Sequence, residues 1–136
     1  MKVKLDPGAY MPTRAHDTDA GLDLYATCDQ SILAWSSATF DTGVHVEIPE
    51  GYVGMLTSKS GLMRQGITSR GTIDCGYIGS IRAVLFNHLP YSAEIKQGQK
   101  ITQLVIMPII SPELEVVGYL DKTDRGDGGF GSSGKF

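Results

Sequence analysis

The sequence predicts an all-β domain of the barrel or jelly-roll-like kind. Residues 44–48 alternate apolar and polar side chains with a period of two, which is the pattern of a half-buried strand. Residues 81–86 and 101–110 form nearly continuous apolar runs, the second interrupted at Pro108. Sustained apolar stripes at helical spacing are missing, so we expect only one or two helical turns, at residues 60–65.

Turn residues separate these apolar segments at regular intervals. Gly, Pro and Asn, the residues that hairpins and bulges use, recur at positions 49–51, 74–76, 87–90 and 97–98. Residues 116–120 are predicted as the last strand. Beyond them the chain is too polar to pack as core. The sequence therefore predicts a β domain over residues 1–120 and a flexible, Gly-rich C-terminal arm over residues 121–136.

Composition limits the classes of function. A chain of 136 residues fits one domain, and 12 basic against 15 acidic residues, spread without blocks, give a net charge of −3. This argues against a nucleic-acid surface and against a polybasic membrane patch. Cys28 and Cys75 match no metal-ligand spacing, and the N-terminus lacks an apolar signal region. We therefore expect a protein that binds one small ligand in the cytoplasm, or in the host cytoplasm if the source is viral.

The C-terminal arm has the composition of a ligand-covering segment. Residues 124–136 contain five glycines, two serines, Arg125 and Phe130. Exposed amides, hydroxyls and a guanidinium are donors for polyphosphate oxygens, and Phe130 could cover a flat ring. The spacing Gly126-x-Gly128-x-x-Gly131 also fits a dinucleotide-binding fingerprint, but only five residues follow Gly131, too few for the required helix and acidic residue. A merely disordered terminus is the alternative.

Two polar clusters in the first half of the chain could bind a metal or a phosphate. Asp17, Asp19 and Asp23 suggest a calcium loop, yet an EF-hand places glycine at position six, where this chain has Leu22. A solvated turn is the alternative, and Asp23 fits it least because its neighbours are apolar. The second cluster, residues 58–61, offers amides, hydroxyls and the Lys59 ammonium to a phosphate, or is an ordinary helix N-cap.

The third cluster, residues 71–79, places a carboxylate and an aromatic ring in a glycine-bounded hairpin. Hydrolysis of a phosphoanhydride needs a base beside the attacking water and no covalent nucleophile, so Asp74 alone could serve. An acid in a tight turn is otherwise structural. The sequence contains no Gly-x-Ser-x-Gly elbow, and its three histidines lie in no recognisable metal or triad motif.

Taken in order, these clusters resemble the five motifs of the homotrimeric dUTPase family. The match covers most of the chain, and five motifs in the right order are strong evidence where one would be weak. The corresponding segments are residues 20–24, residues 49–54 with 59–62, residues 71–79, residues 98–104 and residues 125–134.

The resemblance implies a reaction and a fold. Family members are jelly-roll-like β-clip homotrimers that hydrolyse dUTP to dUMP and pyrophosphate, with Mg²⁺ and with active sites between chains. Asp74 matches the carboxylate that activates the attacking water, and Tyr77 the ring that leaves no room for a 2′-hydroxyl. Asp23 matches the acid that holds Mg²⁺ through water. The remaining substrate-binding positions implied are Lys59, Ser60, Gly61, Thr72, Ile73, Gln103, Arg125, Phe130, Gly131, Ser132 and Ser133.

Three positions depart from the family pattern. Lys59 replaces an arginine and cannot offer its planar fork of donors, Gly76 stands where an acid is common, and Gln99-Lys100 replaces Asp-Arg. These departures concern phosphate geometry more than reaction type. The rival functions are a dCTP deaminase, whose class lacks the Gly-rich arm, and a regulatory nucleotide-binding protein of the same fold.

Overall fold

The structure is a computed structural model that describes residues 1–134, and within them it is almost entirely β. Ten strands and one helix are present. In chain order they are β1 (Val3–Leu5), β2 (Gly21–Tyr25), β3 (Gln30–Ile32), β4 (Ser37–Asp41), β5 (Val44–Val46), β6 (Tyr52–Ser58), α1 (Ser60–Arg64), β7 (Ile67–Ile73), β8 (Arg82–Asn87), β9 (Ala93–Ile95) and β10 (Lys100–Pro108).

A six-stranded antiparallel sheet organises the molecule. Its order is β2-β10-β6-β7-β8-β4, and two-stranded ladders β1-β5 and β3-β9 complete the fold. Two apolar clusters fill the interior. One is centred on Leu85 and Ile95 and the other on Leu24 and Leu104, all of them fully buried. The predicted all-β, jelly-roll-like class is confirmed.

The predicted elements at residues 44–48, 60–65, 81–86 and 101–110 correspond to β5, α1, β8 and β10. Strand β10 ends at Pro108, because proline has no N–H to donate to the next rung of a ladder. The helix is a single short one, and no helix of the described residues is long and apolar enough to cross a membrane.

The predicted strand at residues 116–120 is wrong for this chain. Residues 109–134 contain neither helix nor strand. A strand needs a neighbour to pair with, and within the described residues this segment has none. Its apolar side chains lie in solvent instead, with Leu114 94% and Val116 99% exposed. Residues 135–136, at the end of the predicted arm, lie outside the described residues.

A histidine links the β1-β5 ladder to the loop between β7 and β8. Nδ1 of His45 lies 2.8 Å from the carbonyl oxygen of Ile78, and Nε2 lies 3.0 Å from a carboxylate oxygen of Asp6. A carbonyl and a carboxylate only accept hydrogen bonds, so the imidazolium is the one form that donates to both. The Asp6 carboxylate and the Ile78 carbonyl accordingly raise the pKa of His45, although Lys4 opposes them.

This geometry predicts a loss of stability toward alkaline pH. The folded pKa of His45 lies above the unfolded value of about 6.5, so its contribution is complete below that pH and is lost as pH rises through the folded pKa. We expect the urea midpoint to fall above about pH 6.5 and His45→Gln to flatten that fall. His16→Gln is the control, since the His16 ring is exposed; an equal flattening there would contradict the assignment.

Candidate active site

The hairpin between β7 and β8 carries the predicted nucleoside-binding residues. Asp74 directly follows β7, and Tyr77 lies three residues further on; both side chains are exposed. The backbone turns here through a Tyr77 N–H to Asp74 carbonyl hydrogen bond of 3.2 Å. Gly76 takes a φ of 84° in this turn, a left-handed conformation that favours glycine over the acid common in the family.

These residues surround a depression of about 240 Å³. Thr72, Ile73, Asp74 and Tyr77, all predicted as site residues, line it together with Arg82, which the sequence reading did not assign. Strand β7 brings them together because Thr72 and Ile73 are its last two residues and Asp74 directly follows them. The depression offers a carboxylate, an aromatic ring and backbone groups in one place, which suits a nucleoside attached to a phosphate.

A second group of polar side chains lies where β2, β6 and β10 meet. Pairing places Gln103 of β10 opposite Asp23 of β2 on one side and Thr57 of β6 on the other. Lys59 follows β6 directly and precedes α1, in which Ser60 and Gly61 are the exposed first residues. A depression of about 230 Å³ is lined by Asp19, Asp23, Lys59 and Gln103, among others.

Asp23 anchors this second group through two lysines. Its side chain is only 4% exposed, and its two oxygens contact different ammonium groups: Oδ1 accepts a hydrogen bond from Lys59, and Oδ2 forms an ion pair with Lys100 at 2.8 Å. Burial acts to raise the pKa of Asp23, but the hydrogen bonds from Lys100 and Lys59 outweigh it and the pKa is lowered. The same contact raises the pKa of Lys100. Asp23, Lys59 and Lys100 together carry one negative and two positive charges. Of the two lysines, only Lys59 lines the depression, beside Asp19 and Asp23.

Strand β6 keeps the two groups apart within one chain. Ile73 pairs with Gly54 near the start of β6, whereas Lys59 lies just past its end. Five residues separate Gly54 from Lys59, or about 16 Å at the rise of an antiparallel strand. Lys59 and the Asp74 hairpin of one chain therefore lie at opposite ends of the same strand.

The arm residues lie in solvent and bond only within the arm. Arg125, Phe130, Gly131, Ser132 and Ser133 are all exposed. Backbone hydrogen bonds between residues 123 and 134 close local turns, and Nε of Arg125 donates to the Gly128 carbonyl at 3.0 Å. Among the described residues, no hydrogen bond joins the arm to the hairpin or to the lysine cluster, which consists of Asp23, Lys59 and Lys100. The single chain thus separates the predicted site into three parts.

Sequence reasoning noted Lys100 as a departure from the family but gave it no role. Its contact with Asp23 depends on the pairing of β10 with β2, where a register shift between Lys100 and Thr102 turns the lysine toward the carboxylate. A single sequence does not encode that shift in any recognisable pattern. The apolar run of the strand can be recognised in the sequence, but the bulge cannot.

Asp23→Asn tests the anchor. The substitution leaves two ammonium groups without their shared carboxylate, so we expect the free energy of unfolding near pH 7 to fall by about 1–3 kcal/mol. The folded pKa of Asp23 is lowered, so its contribution is present above about pH 4 and lost as pH falls through the folded pKa. Stability of Asp23→Asn should therefore depend less on pH below 4.

The control for this prediction is Glu47→Gln. Glu47 also pairs with a lysine, Lys2, but both side chains are more than half exposed. Such a pair contributes little because water screens it. Urea titrations of the two variants at pH 7 and at pH 3 provide the measurement. An Asp23→Asn protein as stable as the Glu47→Gln protein at both pH values would show that the lysine cluster is not an anchor.

Comparison with known proteins identifies the family. The family model described as dUTPase matches residues 8–134. A protein of Clostridium tetani called deoxyuridine 5′-triphosphate nucleotidohydrolase is 41% identical over 140 residues, covering 99% of this chain and 97% of its own. Its namesake in Mycobacterium bovis (strain BCG / Pasteur 1173P2) is 43% identical, covering 97% of this chain and 92% of its own.

Solved structures show the same similarity. The dUTPase of Staphylococcus bacteriophage 80alpha with dUPNHPP superposes with a TM-score of 0.92 at 36% identity, covering 98% of this chain and 97% of its own. A mutant dUTPase of phage phi11 of S. aureus, described as coordinating a structural Mg(II) ion, gives 0.81 at 33% identity, with coverage of 87% and 96%. On the family model, the identities and the fold, this chain belongs to the dUTPase family.

Proposed function

We propose that this protein hydrolyses dUTP to dUMP and pyrophosphate, with Asp74 as the general base. The observation that carries the proposal is the hairpin depression, where an exposed carboxylate stands beside an aromatic ring in a chain of the dUTPase family. Asp74 accepts a proton from water as that water attacks the α-phosphorus. The bond from the α-phosphorus to the bridging oxygen breaks, and pyrophosphate leaves.

The same hairpin supports selection of the nucleoside. Tyr77 packs against the deoxyribose and excludes a 2′-hydroxyl, while backbone groups of residues 72–74 read the uracil edge. Exposure of the ring, at 45%, leaves one face free for a ligand, and its hydroxyl is fixed by donating to the Ser80 carbonyl at 2.9 Å. Selection by exclusion depends on a ring that is held in place.

The phosphates are proposed to bind the lysine cluster of a neighbouring chain in a homotrimer. The lysine cluster and the Asp74 hairpin of one chain cannot bind the same dUTP molecule, because about 16 Å of strand β6 lies between them. Exposed apolar residues between β10 and the arm support the assembly, since patches of this kind usually mark interfaces. These are Ile110, Leu114, Val116, Tyr119 and Leu120. The arm then brings Arg125, Ser132 and Ser133 to the γ-phosphate and Phe130 to the uracil.

Magnesium is proposed to enter with the triphosphate. The described residues contain no group of three or more His, Cys, Asp or Glu side chains able to hold an ion. The donor set fits a substrate-borne ion: Asp23 has lone pairs beyond the two that its lysines use, and Asp19, partly exposed in the same depression, is available to water. When bound, Mg²⁺ neutralises phosphate charge and keeps several of its waters.

Asp74→Asn tests the base. The amide keeps the shape of the carboxylate but accepts no proton, so we expect turnover of dUTP to fall by roughly 10²–10⁴-fold. Binding of a non-hydrolysable dUTP analogue should stay near the wild-type value. Pyrophosphate release from dUTP, dCTP, dTTP and UTP measures the rate and the base preference together, and ammonia release from dCTP tests for a deaminase. Near-wild-type turnover by the folded variant would rule out the assignment.

Mixed trimers test the division of the site between chains. We expect Asp74→Ala chains and chains lacking residues 124–136 to be inactive separately, because each lacks one necessary part. Refolded together in equal amounts, they should recover activity, since about a quarter of randomly assorted sites combine an intact Asp74 with an intact arm from another chain. Native mass spectrometry confirms that chains have mixed. Mixed trimers without activity would contradict an arm that crosses between chains.

A further inference from the structure

Tyr77 lies directly against Gly79 in the β7–β8 hairpin. A Cβ atom added to Gly79 would stand 2.5 Å from the Tyr77 hydroxyl oxygen, 2.6 Å from Cζ and 2.9 Å from Cε2. Real Cβ contacts are not this short, so the ring or the backbone would have to move. Gly79 does not have a positive φ, unlike Gly76. The position therefore needs glycine for space and not for backbone conformation.

The contact with Gly79 is one of few restraints on the position of the Tyr77 ring. Tyr77 is 45% exposed, so the apolar core does not confine it. Among the described residues, two contacts restrain the Tyr77 ring. One is the hydrogen bond from its hydroxyl to the Ser80 carbonyl, at 2.9 Å, and the other is its close packing against Gly79. Two restraints within three residues set the angle at which the ring stands beside Asp74 in the depression. A methyl group added at Gly79 would displace the Tyr77 ring. The ring can move because one side of it is exposed to solvent.

Ser80, in turn, is tied to the sheet. Its hydroxyl donates to Oδ1 of Asp41, and the same oxygen accepts the Gly43 N–H at 3.0 Å. Asp41 ends β4 and pairs in register with Arg82 at the start of β8, whose Nε lies 3.5 Å from Oδ2. The base of the hairpin is thus fixed to the edge strand of the sheet. Displacement at Gly79 must be taken up mainly by the ring, because the backbone after it is anchored.

We propose that Gly79 is a specificity-determining residue, which discriminates deoxyribose from ribose by letting the Tyr77 ring pack closely against the Gly79 backbone, with Ser80 and Asp41 as the anchor. This inference rests on the proposed dUTP hydrolysis and adds to it a residue that does not touch the substrate. Gly79 acts through Tyr77, so it is a positioning residue. Substitution of Gly79 should therefore change the ratio of kcat/KM for dUTP to kcat/KM for UTP. It should not change the proton transfer at Asp74.

Gly79→Ala tests the proposal. We expect the dUTP to UTP ratio to fall by at least about tenfold, on the scale of other steric discriminations, because the displaced ring no longer blocks the 2′-hydroxyl. Ile78→Ala is the control: it lies in the same hairpin, its side chain is 72% exposed, and it lines a different depression, so the ratio should stay unchanged. A wild-type ratio in folded Gly79→Ala would overturn the proposal.

A double-mutant cycle separates positioning from general damage to the hairpin. On a Tyr77→Ala background, Gly79→Ala should leave the ratio unchanged, because the ring through which it acts is gone. An equal loss on both backgrounds would overturn the proposal in favour of backbone distortion. If Gly79→Ala does not fold, Ser80→Ala replaces it: removal of the hydroxyl frees the base of the hairpin, and the ratio should fall while kcat for dUTP is kept.

Failure of this inference is distinguishable from failure of the proposed function. A wild-type protein that releases no pyrophosphate from dUTP fails the proposed function, whatever the variants do. A wild-type protein that prefers dUTP over UTP, with Gly79→Ala showing the same preference, fails the inference alone. Both ratios use the same pyrophosphate assay and protein preparations, with the assembly of each variant confirmed by native mass spectrometry.

Discussion

The pairing of β6 with both β7 and β10 is the constraint on which the site depends. All seven residues of β6 pair with β10, and residues 54–57 also pair with β7, so the distance between the ends of β6 is fixed by strand geometry. The Asp74 hairpin leaves β7 near one end, and Lys59 follows the other. A rigid strand cannot shorten to bring them together, so completing the proposed site requires another chain. Under the proposed function, assembly is therefore a condition of catalysis.

Electrostatics at the far end of β6 follow from one buried carboxylate. Asp23 would be costly to bury alone, and two lysines compensate for it. Lysine donates as a compact point charge where arginine would offer a planar fork, so one carboxylate oxygen serves each ammonium. The two replacements of arginine at positions 59 and 100 therefore meet on the same partner. Both lysine side chains are partly exposed, Lys59 26% and Lys100 44%, so their ammonium groups can also contact the proposed triphosphate.

Local sequence patterns predicted several of the strands, whereas contacts that depend on strand pairing could not be predicted from the sequence. Period-two alternation and apolar runs located β5, β8 and β10, because each strand buries one or both faces within its own chain. The same reasoning failed at residues 116–120, because an apolar pattern does not show whether the segment has a neighbouring strand to pair with, and within the described residues it has none. Asp74 and Tyr77 were predicted as site residues, and the structure places both beside one depression; their roles remain proposals. Lys100 and Gly79 were not given roles, because one depends on a bulge and the other on the orientation of a ring.

Rigidity and mobility are divided between the two glycine-containing parts of the proposed site. In the hairpin, Gly76 and Gly79 permit a tight turn and a close contact, and Ser80 and Asp41 anchor the result to the sheet. In the arm, glycines join turns that bond only to one another among the described residues. Discrimination by exclusion requires a wall that does not yield, whereas closure requires a segment that orders only over its ligand. Glycine suits both parts of the proposed site. Where neighbouring residues anchor the backbone it permits a close contact, and where they do not it permits the backbone to change conformation.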